Sequence, residues 1–385
     1  MVVPPRSFFR PRADITATLY TQWCQCPARV AWRCSSAAVL VPTSPHAILG
    51  MAFHKVLEMA RSSPVPGDGV LFKDWAGALF DRKAVLEYER AHPLLRVKYL
   101  RPADMPEYYL QRARALALGA ALAGRSLSRK ATISQGVRGN KPSEQGQKGV
   151  EKTLVSRDEL LRGIADVIEP DQRAVVDYKS GAAPTDGAPL SDAERTQLMF
   201  YAYLAAENGI AVDQGTIVRG TGETATIETP ADQARAVADA AREALTTMNV
   251  RAQQNAAPAD LAEPSPQACR ACPFIPLCSG FWRQASESWA EEVGRHVELT
   301  VRSARSFGRG PQQMLHVHGA RTAGTVSTDH SEVHLLLPER WLVGTPIPQA
   351  GQTVRATYVF AGADPDASEW RLSPALGALW VVGRE

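Results

Sequence analysis

Asp177 and Lys179 stand two residues apart in the β-branched run 174–179, so on a strand both side chains leave one face of the sheet. Asp166 lies in a similar run, 160–168, and the residues between the two runs, 169–173, read as a hairpin connection. Two acids and a lysine therefore converge. Paired carboxylates suit hard ions such as Mg²⁺ or Mn²⁺, and a neighbouring ammonium can position an attacking water and offset charge on a scissile phosphate. The chemistry this set supports is phosphodiester hydrolysis. Taken alone, a D-x-K triplet is equally the ordinary decoration of a solvated sheet face, so its meaning rests on its neighbours.

Six cysteines form a second group with chemistry in it. Cys24, Cys26 and Cys34 lie near the start, Cys269, Cys272 and Cys278 lie together far downstream, and none stands between. Without a secretion signal such a set favours metal or redox chemistry over disulfides, and two distant clusters suggest one shared site. Four thiolates accept either a [4Fe-4S] cluster or a Zn²⁺ ion, and spacing alone leaves both open.

The elements that must position these groups follow from pattern. Helical spacing of apolar residues runs over 16–33, 46–61, 73–92 and 106–123, so the front third is mostly α. Residues 1–13, with Pro4, Pro5 and Pro11 among Arg6, Arg10 and Arg12, read as a flexible tail. The stretch 124–150 sets six cations against Glu144 and contains five glycines, which fits a solvated linker or a phosphate-contacting loop equally well. After the hairpin comes a helix with clear punctuation, where Ser191 and Glu194 form a capping box and Asn208 with Gly209 stops it. A second strand pair, 214–219 and 223–228, and a helix over 230–248 capped by Thr229 complete an α/β order. Residues 281–293 read as amphipathic, and then the character changes. Five strands, 296–303, 313–318, 331–337, 353–361 and 376–382, suggest a small closed barrel of the OB type, with a sandwich or an SH3-like barrel as the alternative.

Composition sets the outer bounds. The chain of 385 residues is 45% hydrophobic and 22% charged, which excludes disordered, collagenous and disulfide-scaffold classes. The longest clean apolar run, 115–124, is too short to span a bilayer, and residues 2–6 lack a signal-peptide core, so the expectation is a cytoplasmic protein away from membranes. Forty-three Lys plus Arg against 40 Asp plus Glu leave +3, so a DNA site has to be a local patch. No P-loop pattern occurs, and no internal repeat.

Four motifs follow one another along the chain: Gly50, His54, Leu57 and Glu58 in G-x-x-x-H-x-x-L-E; Gly163 to Asp166 as G-I-A-D; Asp177 to Gly181 as D-Y-K-S-G; and Gln197, Leu198 and Tyr201 as Q-L-x-x-Y. Their order and spacing resemble the PD-(D/E)XK nucleases of the RecB type. That resemblance implies a restriction-endonuclease-like α/β core over 14–290 and a Mg²⁺- or Mn²⁺-dependent deoxyribonuclease, acting on DNA ends or single strands as an exonuclease in repair, recombination or phage defence. It implies metal ligation by His54, Asp166 and Asp177, a catalytic trio of Asp166, Asp177 and Lys179, and a DNA-facing helix bearing Gln197 and Tyr201, which at i and i+4 share one face. Glu58 stays unassigned. Ala165 replaces the proline that the family places before its first acid.

The cysteines extend the resemblance. Cys269-x-x-Cys272-Pro with Cys278, and Cys26-Pro27 near the start, look like the iron-sulfur staple of AddB-type nucleases. This implies Cys26, rather than Cys24, as the fourth ligand with Cys269, Cys272 and Cys278, a [4Fe-4S] cluster of structural role, and Zn²⁺ as its rival. By analogy a helicase is a separate partner chain, or the protein works alone. The other class of function is a DNA-binding or subunit-assembly module that needs such a partner for activity. The domain over 295–385 lies outside the resemblance. It holds nine arginines, no lysine and eight acids, and its aromatics Trp341, Tyr358, Phe360, Trp370 and Trp380 are expected to fill its core rather than stack on bases.

Overall fold

The structure is a computed structural model that describes residues 2–3, 8–62, 71–124, 149–181, 188–327, 331–362 and 369–382. A two-residue strand β1 (Val2–Val3) precedes helices α1 (Ala17–Gln25) and α2 (Pro27–Arg33). The run expected over 16–33 breaks at Cys26. Its extended backbone ends α1, and Pro27 takes the first turn of α2, where its missing N–H costs nothing. Residues 9–13 are not free as a tail would be. Phe9 is buried and bridges to Ser35, while Arg12 and Asn249 exchange hydrogen bonds of 2.8 and 2.9 Å.

Helices α3 (Pro45–Ser62), α4 (Phe72–Arg90), α5 (Pro93–Lys98) and α6 (Tyr108–Leu122) form a layer. In α3 the helical spacing of Ile48, Leu49, Ala52, Phe53, Val56 and Leu57 makes one fully buried stripe, packed on Phe80 of α4 and Ala115 of α6. The start of α6 falls at Tyr108 rather than 106 because Glu107 adopts a left-handed conformation. The basic stretch expected over 124–150 lies outside the described residues except at Gly124 and at 149–150.

Strands β2 (Gly149–Val155), β3 (Arg162–Glu169), β4 (Ala174–Lys179), β5 (Gln214–Arg219) and β6 (Thr224–Glu228) form a sheet in that spatial order. All pairs are antiparallel except β4 with β5, which α7 (Asp192–Glu207) connects in parallel. Both faces are covered. Val167, Val176 and Tyr178 meet the α3 layer, and Ala165, Val175 and Ile217 meet α7 and α8 (Ala231–Gln253). The expected Thr229 cap is absent: α8 starts after Pro230, and the buried Thr229 hydroxyl takes no hydrogen bond. No described helix is long and apolar enough to cross a membrane.

The amphipathic run expected over 281–293 is broken into α10 (Ser279–Gln284) and α11 (Ala290–Val293), preceded by the short α9 (Pro266–Cys269). Strands β7 (Val297–Phe307), β8 (Met314–Gly324), β9 (Glu332–Pro338), β10 (Thr353–Thr357), β11 (Val359–Ala361), β12 (Glu369–Leu372) and β13 (Ala378–Val382) follow. The order β1-β13-β10-β7-β8-β9-β12-β11 does not return from β11 to β1 among the described residues. The domain is therefore a half-barrel and not the closed barrel expected. A left-handed Tyr358 splits the strand expected over 353–361 into two, and β12 was not anticipated. Trp341, Trp370 and Trp380 fill the core, whereas Phe360 is exposed. The same core takes in Cys26, Ala28 and Trp32, so α2 belongs to both units.

Candidate active site and thiol cavity

Asp177 and Lys179 leave the α7 side of β4, as alternation requires. The Lys179 ammonium lies 2.8 Å from Asp177 Oδ2 and donates to Gln197 Oε1 at 2.8 Å, while Gln197 Nε2 donates to Asp177 Oδ1 at 2.9 Å. A single glutamine on α7 thus closes a ring with the acid and the lysine. Asp166, on β3, accepts from the Tyr178 backbone N–H at 2.7 Å, and His54 of α3 places Nδ1 3.5 Å from the same oxygen. Four elements, the β3–β4 hairpin with α3 and α7, converge here. Glu58, one turn from His54, is occupied by Lys55 at 2.6 Å.

Tyr201 departs from the expectation that it faces DNA. It is buried, and its hydroxyl accepts from Gln197 Nε2 at 3.0 Å, so it orients the glutamine instead of presenting a ring to solvent. Gly163 explains why the ring can sit there: a Cβ at that position would lie 2.8 Å from Tyr201 Cε1 and 3.0 Å from Leu204 Cδ1. The absent side chain lets α7 press onto β3.

Pattern reading missed the pair that fixes the start of α7. Arg219, at the end of β5, holds Glu194 through two hydrogen bonds of 2.8 and 3.1 Å, and Glu194 in turn accepts from Ser191 N–H at 2.8 Å. The capping box was legible, but its arginine lies on a strand 25 residues away and has no local signal. Thr18 and Thr21 of α1 were missed as well. With Lys179, Glu194 and Gln197 they line a groove of about 250 Å³ beside the acids.

Burial shapes the charges. It pushes the Asp177 carboxyl up to about 6, against the opposing pull of Lys179. Burial lowers the His54 imidazole, but the hydrogen bond and charge of Asp166, with the charge of Asp177, outweigh it and raise the net value. Asp177 Oδ2 is buried, and its one close polar neighbour is the Lys179 ammonium, in an ion pair of 2.8 Å. A buried carboxylate beside a second carboxylate and an imidazole is a donor set that fits a hard divalent cation. Among the described residues no three such donors are closed tightly enough to hold an ion as the side chains stand.

Cys26, Cys269, Cys272 and Cys278 line one small cavity with Arg29, Trp32 and Phe281, and all six cysteines are free of disulfides. Cys24 is exposed, and Cys34 packs in a different core. Burial, reinforced by the neighbouring thiols, pushes Cys269 up to about 12 and Cys272 to about 11. Four thiols facing one cavity, with burial raising Cys269, Cys272 and Cys278, fit a group that brings its own positive charge.

The family model described as PD-(D/E)XK nuclease superfamily matches residues 14–279, a span that holds His54, Asp166, Asp177, Lys179, Gln197 and Tyr201 and the four cysteines of the cavity. No curated protein matches the chain.

Proposed function

Because the chain belongs to the PD-(D/E)XK nuclease superfamily, a group of metal-dependent nucleases, we propose that it hydrolyses DNA phosphodiester bonds at the centre built by Asp166, Asp177 and Lys179. The reading is that of a RecB-type, AddB-like exonuclease acting on ends or single strands. Asp166 and Asp177, with His54, would hold Mg²⁺ or Mn²⁺. Such an ion polarises a phosphoryl oxygen and makes a bound water more acidic.

The chain's own residues do the rest. Lys179 places a positive charge where a water and a scissile phosphate would meet, and Gln197 fixes that charge by accepting a hydrogen bond from the ammonium while donating one to Asp177. Tyr201 and the Arg219–Glu194 pair keep α7, and with it Gln197, at the distance this arrangement needs. The groove past Thr18 and Thr21 is the path we assign to the strand. What carries the proposal is one observation: Asp177, Lys179 and Gln197 close a ring of polar contacts on one face of the sheet, and Asp166 with His54 stands beside it.

We further assign the thiol cavity to a structural [4Fe-4S] cluster held by Cys26, Cys269, Cys272 and Cys278, with Zn²⁺ as the alternative for the same four ligands. Iron and zinc analysis of anaerobically purified protein separates the two. The nuclease reading is tested by cleavage of end-labelled single- and double-stranded DNA with Mg²⁺, Mn²⁺ or EDTA, wild type beside Lys179→Ala. Metal-dependent cleavage lost in the variant is expected. A folded wild type that cleaves neither substrate would instead favour a binding module that needs a helicase partner.

A further inference from the structure

The half-barrel carries metal-ligating side chains that the nuclease centre does not use. His316 and His318 alternate with buried Leu315 and Val317 on β8, and Glu332 and His334 alternate with buried Val333 and Leu335 on β9. All four therefore leave the outer face of two neighbouring antiparallel strands, with His318 opposite His334. The His334 ring lies 4.5 Å from that of His318 and 5.1 Å from that of His316. His316 Nε2 and His334 Nδ1 are 3.0 Å apart.

The fourth member gives the clearest sign. His318 Nε2 lies 2.9 Å from Glu332 Oε2, yet that buried oxygen takes no hydrogen bond, while Arg302 holds the other carboxylate oxygen at 2.7 Å. Tetrahedral bonds of about 2.0–2.1 Å put ligand atoms about 3.4 Å apart. The 3.0 Å hydrogen bond and the 2.9 Å ion pair therefore need to open by a few tenths of an ångström to admit an ion.

We propose that His316, His318, Glu332 and His334 form a site for a borderline divalent ion, with Zn²⁺ the best match to three imidazoles and one carboxylate. The site is separate from the nuclease centre and joins β8 to β9 across their outer face. The four donors are not closed on one point as the side chains stand. His334 is stacked between the other two rings at interplanar angles of 7° and 11°, so closure requires the imidazoles to turn out of the stack toward a common point.

The test is calorimetric titration of Zn²⁺ into the full chain, with the group in its thiol cavity left in place and excess Mg²⁺ present. Wild type is compared with His318→Gln/His334→Gln. Sites common to both proteins cancel. One Zn²⁺ fewer in the double variant, or binding of that ion weakened by at least roughly tenfold, is expected. Equal stoichiometry and affinity in the two proteins overturns the proposal, as does a wild type that binds no Zn²⁺. Glu332→Gln, which keeps the side chain's size, guards against misfolding of the double variant: a similar loss supports the site, and unchanged Zn²⁺ binding refutes it.

Discussion

Asp177→Asn is expected to stabilise the folded protein while abolishing cleavage. Asp177 is 4% exposed, and burial pushes its carboxyl up to about 6 from an ordinary value near 4. The folded state thus holds this proton more tightly than the unfolded chain does. The group's contribution to stability is intact below about pH 4 and is lost as pH rises through about 6. A gap of about two pH units, at about 1.4 kcal/mol each, makes the ionised carboxylate cost on the order of 3 kcal/mol above pH 6. Asparagine keeps the oxygen that Gln197 binds and removes the charge. It also takes the counter-charge from Lys179, which retains Gln197 and partial hydration, so the net gain falls to about 1–3 kcal/mol. Urea unfolding of both proteins from pH 4 to pH 8, without added divalent ions, reads the effect. The variant's midpoint should exceed that of wild type at pH 8, the gap should close toward pH 4, and Mg²⁺ should raise only the wild-type midpoint. A variant less stable than wild type at pH 8, or a gap independent of pH, would refute the reasoning.

Two further substitutions test the supports. Gly163→Ala should cost about 1–3 kcal/mol, because its methyl meets Tyr201 and Leu204 at 2.8 and 3.0 Å. A lowered melting temperature accompanied by reduced cleavage is the expected pair, and an unchanged melting temperature would mean that α7 has slack. Cys272→Ser should lose the bound metal and lower the melting temperature, since a structural metal contributes directly to folding. Iron and zinc analysis beside a thermal melt checks both.

The site was legible in the sequence to the extent that its signals are local. Alternation placed Asp177 and Lys179 on one face, and the Ser191 and Glu194 box marked the helix that delivers Gln197. Tyr201 shows where local reading stops. Its i, i+4 relation to Gln197 holds, but which way that face turns depends on Gly163, on another strand. Arg219 was invisible for the same reason. In the half-barrel, strand alternation was readable, whereas closure is a property of which edges pair. The break at Tyr358 comes from a backbone conformation that tyrosine seldom adopts and that no pattern announces. The break at Cys26 did have a signal, the proline after it, which apolar spacing overrode.

That break has a consequence for how the two chemical centres behave together. Cys26 is at once the last step of α1, whose threonines wall the groove beside Lys179, and the first step of α2, whose far end is built into the half-barrel core. A group held in the thiol cavity would thus be fastened at the junction of two helices, one bordering the groove and the other entering the half-barrel core. Under the proposed function, any coupling between that group and a strand in the groove would be reciprocal, each changing the other's affinity by the same factor, and strand affinity measured with the cavity filled and emptied reads that factor.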